Sequence, residues 1–106
     1  MYTGLYYEYT LYTGIMQYKS EKTLQLISKF GETVKELRAE KTKKSQTMLA
    51  YEYDLDSGNL SRIEGGKIDP KLTMLWRLSE ALSIPLSEIF RELEKNLGKD
   101  FHITDS

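Results

Sequence analysis

The sequence contains no cysteine, only two prolines among 106 residues, and no long apolar run. Without cysteine, disulfide bonds and thiolate metal sites are excluded, and a reducing compartment is compatible with the chain. No segment approaches the roughly 20 apolar residues that a membrane-spanning helix needs. The first residues, Met1–Gly4, lack the basic charge that opens a signal peptide. We therefore expect a folded, cytoplasmic protein without a membrane partner.

An excess of positive charge is also missing. Lys and Arg total 15 against 16 for Asp and Glu, which gives a net charge of −1. DNA-binding domains are usually basic, so the composition by itself argues against nucleic acid as the partner. The basic residues are unevenly distributed, however, and a local basic surface on a neutral protein can still bind phosphates. They crowd the middle of the chain at Arg38, Lys41, Lys43, Lys44, Arg62 and Lys67.

The patterns of known catalytic and metal sites are absent from the sequence. There is no pairing of a nucleophile with a base, no glycine-rich phosphate loop and no cluster of metal ligands. His102 is the only histidine, and it lies in a polar tail. We therefore expect a protein that is not an enzyme and that needs no metal or cofactor.

The first 19 residues differ from the remainder of the chain, because six of the eight tyrosines lie there. Aromatic residues and threonine favour a strand. A disordered arm fits this composition equally well, and translation beginning at Met16 is a third interpretation. The sequence does not decide among the three, so residues 1–19 are treated as a separate tyrosine-rich arm.

From residue 20 onward the sequence predicts an all-α domain of five helices. Ser20, Ser45 and Asp56 are residues that favour N-caps. The Gly65–Gly66 pair is a stop signal, and Pro85 stands where the last helix begins. The predicted domain covers residues 20–98, with helices at about 20–42, 45–53, 56–64, 72–82 and 85–97, and residues 99–106 form a flexible tail.

Apolar residues three and four positions apart give these helices an inward face. Trp76 is expected in the partly buried core. The inward positions are predicted to be Leu24, Ile27, Phe30, Val34 and Leu37 in the first helix, and Leu72, Leu75, Leu78 and Leu82 in the fourth.

The second and third helices have the spacing of a helix-turn-helix, in which two short helices cross steeply around a tight turn. Ala50 is small enough to let the two backbones approach each other. Leu55 can fill the space beneath the turn, while Leu60 and Ile63 give the third helix a narrow inward face. Such a turn often needs a positive φ angle, which Asp54 tolerates better than most residues.

The opposite face of the third helix is suited to DNA. With Leu60 and Ile63 inward, Gly58 and Arg62 point almost directly away. A small polar face with one long cation fits a major groove about 12 Å wide. Arg62 can hold guanine through two hydrogen bonds, and Asn59 would favour adenine. The predicted base-contacting residues are Ser57, Gly58, Asn59, Ser61 and Arg62.

Phosphate contacts are expected from the first turn of the second helix, where the helix dipole favours an anion. Lys67, in the loop after the third helix, can reach the DNA backbone. Such contacts fix the position of a protein on DNA without reading its sequence. The predicted phosphate-contacting residues are Ser45, Gln46, Thr47 and Lys67.

This segment resembles the XRE/lambda-repressor (Cro/C1-type) family of helix-turn-helix DNA-binding proteins. The resemblance implies the five-helix repressor-like fold, binding to operator DNA as a dimer and, most often, repression. It covers about residues 30–90 and is carried by Ser45–Ala50, Leu55, Leu60–Glu64, Gly66–Lys67, Pro70, Thr73–Leu75, Ala81–Leu82 and Leu86–Phe90.

The resemblance also implies a structural ion pair between Arg38 and Glu64.

Three features depart from the family pattern. The loop between Arg38 and Gln46 is one residue longer, Lys44 replaces an apolar residue, and Asp54 replaces the turn glycine. These departures put the loop geometry in doubt but leave the expected fold unchanged.

The fifth helix carries an apolar stripe that is longer than a repressor-like core needs. A two-fold dimer would bury it and place two recognition helices about 34 Å apart. The alternative is that the tyrosine-rich arm folds back over the stripe. The predicted dimer interface consists of Leu86, Ile89, Phe90, Leu93 and Leu97.

The sequence therefore favours a homodimeric transcriptional regulator, most simply a repressor, that binds a near-palindromic operator in double-stranded DNA. A second hypothesis is an antitoxin or restriction–modification controller that also binds a protein partner, such as a toxin. In that case the arm and the segment Phe101–Ile103 are the candidate docking elements.

Overall fold

The computed structural model describes residues 20–104, and this part of the chain consists of helices, turns and loops. The predicted all-α class is confirmed, and no strand occurs within residues 20–104. The strand considered for the tyrosine-rich arm lies outside the described residues. The helices are α1 (Glu21–Leu37), continued by a π-helical turn (Arg38–Thr42), α2 (Gln46–Glu52), α3 (Ser57–Glu64), α4 (Leu72–Leu82) and α5 (Leu86–Leu97).

Three helices begin at the predicted N-caps. Ser20 and Ser45 each accept a hydrogen bond at 3.1 Å from the backbone N–H three residues further on. Asp56 accepts from the backbone N–H of Gly58 at 2.7 Å and of Asn59 at 3.3 Å. Each contact satisfies a donor that the first helical turn leaves without a partner, so local sequence sets where α1, α2 and α3 begin.

The end of α3 is a Schellman turn at the predicted glycine pair. Gly66 has a φ of 69°, a left-handed conformation that glycine adopts without steric cost. The backbone N–H of Lys67 donates to the carbonyl of Arg62 at 2.8 Å, and that of Gly66 donates to Ile63 at 3.0 Å. This pattern stops the helix and turns the chain towards α4.

The core lies where α1 packs against both α3 and α5, with α2 and α4 closing the sides. The largest fully buried apolar side chains are Val34, Leu49, Leu60, Ile63, Leu78, Leu82 and Ile89.

No helix in residues 20–104 has the length and apolar character needed to cross a membrane.

Gly31 allows α1 to approach α3 closely. A Cβ atom at this position would lie 2.2 Å from the carbonyl oxygen of Ile63 and 2.8 Å from that of Glu64. Only glycine leaves room for this approach. Sequence reasoning assigned the small-residue role to Ala50, which is indeed buried, but it missed Gly31 because nothing in the local sequence shows which helix lies opposite.

Three predicted core positions are wrong. Leu24 is 50% exposed, Leu72 is 71% exposed and Trp76 is 59% exposed. Leu24 lies one turn inside the start of α1 and Leu72 is the first residue of α4. Helical spacing identifies the apolar face of each helix, but it does not show how far the neighbouring helices cover that face.

Two of the five residues predicted for a dimer interface on α5 are buried within one copy, and the interface itself stays a prediction. Ile89 is completely buried and Leu93 is only 7% exposed, and both belong to the core of a single copy. They cannot contact a second copy without opening that core, because α5 is already packed against α1. Leu86 and Leu97 are half-buried, and Phe90 is 37% exposed with its ring 6.5 Å from that of Phe30.

The segment that follows α5 contacts α1. The amine of Lys22 lies 5.5 Å from the centre of the Phe101 ring, and Phe101 is half-buried. A cation over an aromatic face at this distance is a favourable contact. The first part of the predicted tail therefore lies against the helical domain in this structure.

Replacing Gly31 by alanine should destabilise the fold, although alanine is the better helix former. The new methyl group would overlap backbone atoms that cannot rotate away, and overpacking of this kind costs typically 1–3 kcal/mol. We expect the free energy of unfolding, measured by urea denaturation, to fall by about 3 kcal/mol. Ser28→Ala, at an exposed position of the same helix, should change it by less than about 0.5 kcal/mol. Equal stability of the two variants would contradict this packing.

Candidate nucleic-acid interface

A four-residue connection joins α2 to α3, and it has the predicted helix-turn-helix geometry. Asp54 has a φ of 55°, in the left-handed region that the turn requires. The backbone N–H of Leu55 donates to the carbonyl of Ala50 at 2.8 Å. Leu55 and Ala50 are 8% and 2% exposed, so both lie beneath the turn as predicted.

Helix α3 is anchored on one side only. Leu60 and Ile63 are each 1% exposed, and they hold the helix against the core. Ser57, Ser61 and Arg62 are exposed, while Gly58 and Asn59 are half-buried. Four of the five predicted base-contacting residues therefore share an accessible, small and polar surface, and Asn59 lies at its edge.

The guanidinium of Arg62 lies along α3 above Gly58. A Cβ atom at position 58 would be 3.1 Å from Nη1 of Arg62 and 3.1 Å from Oδ1 of Asp56. The missing side chain of Gly58 thus leaves space for the arginine to extend towards the start of the helix. Arg62 forms no ion pair with any residue in the range 20–104, so its donors remain available to an acceptor outside the protein.

The predicted phosphate contacts divide into two groups. Ser45, Thr47 and Lys67 are exposed. Gln46 is half-buried, and its Nε2 donates to Oε1 of Glu64 at 2.8 Å. One of the two N–H donors on Nε2 of Gln46 is therefore engaged within the protein.

A groove between α3 and α4 contains polar residues that sequence reasoning missed. Asn59 of α3 lines it together with Asp69 of the preceding loop, Lys71 and Thr73 at the start of α4, and Arg77 in the middle of α4. Lys71 and Arg77 are exposed cations, and they extend the basic surface beside α3. The sequence around the second and third helices does not reveal Lys71 and Arg77, because these residues are twelve and eighteen positions beyond Asn59 in the chain.

A buried ion pair joins the ends of the motif to α1. Nε of Arg38 donates to Oε2 of Glu64 at 2.6 Å, and Nη2 donates to Oε1 at 2.8 Å. Nη1 donates to the carbonyl of Lys44 at 2.7 Å. The side chains of Glu64 and Arg38 are only 2% and 13% exposed. The pair implied by the family resemblance is thus present with bidentate geometry, and the hydrogen bonds to Glu64 raise the pKa of Arg38 above its usual value.

Lys44, which departs from the family pattern, has a structural partner. Its amine forms an ion pair with Glu52 at the end of α2, and this hydrogen-bonded contact raises the pKa of Lys44. The left-handed residue before it, Lys43 with a φ of 58°, ends the π-helical turn. The lysine therefore replaces an apolar contact with an ion pair across the outside of α2.

No group of His, Cys, Asp and Glu suited to hold a metal ion occurs in the described range. The outer face of α3 offers hydrogen-bonding groups and charge. A helix anchored from below presents a long cation, two hydroxyl groups and a glycine, and exposed lysines lie around it. Such a surface is complementary to a polyanion that carries hydrogen-bonding groups in a groove.

Comparison with known proteins agrees with this geometry. A helix-turn-helix family model matches residues 34–89. The chain belongs to this Cro/C1-type helix-turn-helix family. The control protein C.MunI from a Mycoplasma species is 45% identical over 67 residues, which are 63% of this chain and 90% of the relative.

Solved structures of helix-turn-helix controllers share the fold. The restriction-modification controller protein C.AhdI from Aeromonas hydrophila is 35% identical, with a TM-score of 0.56 over 62% of this chain and 97% of the other. The controller C.Esp1396I, solved as a tetramer in complex with its natural 35 base-pair operator, is 30% identical. Its TM-score is 0.62 over 67% of this chain and 92% of the other.

Glu64→Gln should destabilise the protein strongly, because it leaves the Arg38 charge enclosed without its counter-charge. Removing one partner of a buried pair typically costs 3–5 kcal/mol, and we expect about 3 kcal/mol in urea denaturation. Glu52→Gln is the matched control, since it breaks the solvent-exposed pair with Lys44 and should cost much less. Equal losses for the two variants would contradict the structural role of the buried pair.

Proposed function

We propose that this protein is a sequence-specific transcriptional regulator that binds a near-palindromic operator as a homodimer. The single observation that supports this most strongly is the one-sided anchoring of α3. Leu60 and Ile63 fix the helix from below, while Arg62 and its neighbours face solvent. A major groove accepts one α-helix, and base edges in it are read by side chains on the outer face of that helix.

Within this proposal, Arg62 reads a guanine through its guanidinium, and Ser57 and Ser61 add short hydrogen-bonding contacts. Gly58 lets the helix backbone approach the base pairs closely. Asn59, at the edge of the face, contacts an adjacent base or the sugar–phosphate backbone together with Arg77. Ser45, Thr47 and Lys67 bind phosphates and so fix the position of α3 in the groove.

The relatives refine the biological role. C.MunI, C.AhdI and C.Esp1396I are all named as control or controller proteins, and two of them as restriction–modification controllers. We therefore infer that this chain controls restriction–modification genes. None of these three relatives is named as an antitoxin, so this comparison gives no support to the toxin considered as a partner.

A near-palindromic operator requires two copies of α3 related by two-fold symmetry, about one helical turn of DNA apart. The relative C.Esp1396I binds its operator as a tetramer, which supports self-association as part of operator binding. Ile89 and Leu93 are buried within one copy, so within the predicted α5 stripe only Leu86, Phe90 and Leu97 offer surface to a second copy.

Arg62→Ala should remove most of the sequence specificity while the fold stays intact. A bidentate arginine–guanine contact contributes about 1–3 kcal/mol of discrimination, so the ratio of operator to random-DNA affinity should fall about tenfold to a hundredfold. The operator is first obtained by selection from random DNA, and both affinities are measured by fluorescence anisotropy at one salt concentration.

Lys67→Ala is the control for this experiment. Loss of one phosphate contact should weaken binding to operator and random DNA alike. It should also lower the number of counterions released on binding, measured from the slope of log affinity against log salt concentration, by about one. If Arg62→Ala kept the operator preference of the original protein, the proposed base reading by α3 would be wrong.

Gly58→Ala should have opposite effects on the stability of α3 and on operator binding. Alanine should stabilise α3 by up to about 1 kcal/mol, yet weaken operator binding, because its Cβ occupies the space beside the Arg62 guanidinium. The two effects are measured by urea denaturation and by anisotropy. Tighter operator binding by the variant would show that the close approach at position 58 is not used.

A further inference from the structure

The carboxylate of Asp56 and the guanidinium of Arg62 both lie next to Gly58. A Cβ atom at position 58 would be 3.1 Å from Oδ1 of Asp56 and 3.1 Å from Nη1 of Arg62. Two atoms at this distance from one point are at most twice that distance apart. Asp56 and Arg62 do not form an ion pair, so the two opposite charges attract each other at short range without direct contact.

Hydrogen bonds to the backbone hold this carboxylate in place. Oδ1 of Asp56 accepts from the N–H of Gly58 at 2.7 Å and from that of Asn59 at 3.3 Å. The carboxylate cannot rotate away without leaving these two donors of the first helical turn without a partner. Arg62, by contrast, is an exposed side chain with many rotamers. A fixed negative charge therefore acts on a long side chain that would otherwise be free to choose its direction.

The direction that Arg62 takes is unfavourable for a cation with respect to the helix dipole. The dipole places partial positive charge at the N-terminus of a helix and partial negative charge at its C-terminus. Arg62 is in the last turn of α3, yet its guanidinium lies beside Gly58 in the first turn. Helical side chains lean towards the N-terminus, but the dipole opposes this direction for a positive charge. The carboxylate of Asp56 offsets that opposition.

No acid of α3 itself competes for Arg62. Glu64 is the only acidic residue of this helix, and it is buried. Both of its carboxylate oxygens already accept hydrogen bonds, Oε1 from Arg38 and Gln46 and Oε2 from Arg38. The negative charge at the end of α3 is therefore engaged, and the accessible one at the start of the helix belongs to Asp56.

We propose that Asp56 is a positioning residue that holds the Arg62 guanidinium at the N-terminal end of α3, where it reads a guanine. The inference rests on the proposed base reading by Arg62 and adds the residue that orients it. The N-terminal residues of a recognition helix contact base edges, so the held conformation brings the cation to that end. A side chain that is ordered before binding also loses less entropy in the complex.

A helix cap by itself does not need a negative charge. Asparagine and serine cap helices about as well as aspartate does, but neither carries a charge that attracts Arg62. Asp56→Asn therefore keeps the cap and removes the attraction. Asp54→Asn is the matched control, because Asp54 is an exposed acid two positions earlier in the chain. Its φ of 55° is one that asparagine also tolerates.

Nuclear magnetic resonance of the protein without DNA tests the positioning directly. The order parameter of the Nε–H bond of Arg62 measures how tightly this side chain is held on the picosecond-to-nanosecond timescale. We expect it to fall in Asp56→Asn and to stay unchanged in Asp54→Asn. Asp56→Ser, which also keeps a cap without the charge, should behave like Asp56→Asn, and circular dichroism checks that all three variants remain folded. An unchanged order parameter in both Asp56 variants would overturn the proposal.

Binding to DNA gives a second readout. Asp54→Asn and Asp56→Asn each remove one charge that repels phosphates, so each should strengthen binding to random DNA. Only Asp56→Asn should also lower the ratio of operator to random-DNA affinity, by about threefold to tenfold, which corresponds to the ordering of one long side chain. Both affinities are measured by fluorescence anisotropy at one salt concentration. Equal ratios for the two variants would contradict the positioning role.

A double-mutant cycle shows whether the effect of Asp56 passes through Arg62. In the Arg62→Ala background, Asp56→Asn should no longer change the affinity ratio, because the side chain that Asp56 orients is absent. If Asp56→Asn lowered the ratio by the same factor in both backgrounds, Asp56 would act on the DNA by itself and the proposal would be wrong.

The outcomes separate this inference from the proposed function. If Arg62→Ala kept the operator preference, base reading by Arg62 would be wrong, whereas a lowered order parameter in Asp56→Asn would still establish that Asp56 orients the arginine. If Arg62→Ala lost the preference and Asp56→Asn kept it, the base reading would stand and the positioning role would be refuted.

Discussion

The arrangement of the motif depends on the contacts that the Glu64 carboxylate makes. It lies at the end of α3 with only 2% of its side chain exposed, where an unpaired charge would be strongly unfavourable. Arg38, at the end of α1, supplies the opposite charge, and Gln46, at the start of α2, adds a hydrogen bond. Three helix termini are therefore joined at one point, which fixes the crossing of α2 and α3.

A chain with a net charge of −1 can present a local basic face because the charges are unevenly distributed. The ion pairs Glu64–Arg38, Glu52–Lys44 and Glu88–Lys41 each neutralise one acid and one cation, so pairing leaves the overall balance unchanged. Net charge counts all residues equally, whereas a ligand meets only those that face it. The cations around α3 that have no ion-pair partner in residues 20–104 are Arg62, Lys67, Lys71 and Arg77.

Features determined by nearby residues could be predicted from the sequence, whereas features determined by distant contacts could not. The caps at Ser45 and Asp56 and the left-handed turn at Asp54 depend on residues within a few positions, and all three are confirmed. The need for glycine at position 31 depends on carbonyl groups more than 30 positions away. The exposure of α4, the burial of α5 and the internal contact of Gln46 likewise depend on which elements meet in three dimensions.

The outer face of α3 makes little contribution to the core, because Leu60 and Ile63 carry the packing of that helix. Substitutions at positions 57, 61 and 62 can therefore change the chemistry of the exposed face without lowering the stability of the scaffold. Under the proposed function, target choice and structural integrity reside in different residues of one eight-residue helix. A protein built in this way can acquire a new recognition site by small steps, each of which leaves a folded molecule.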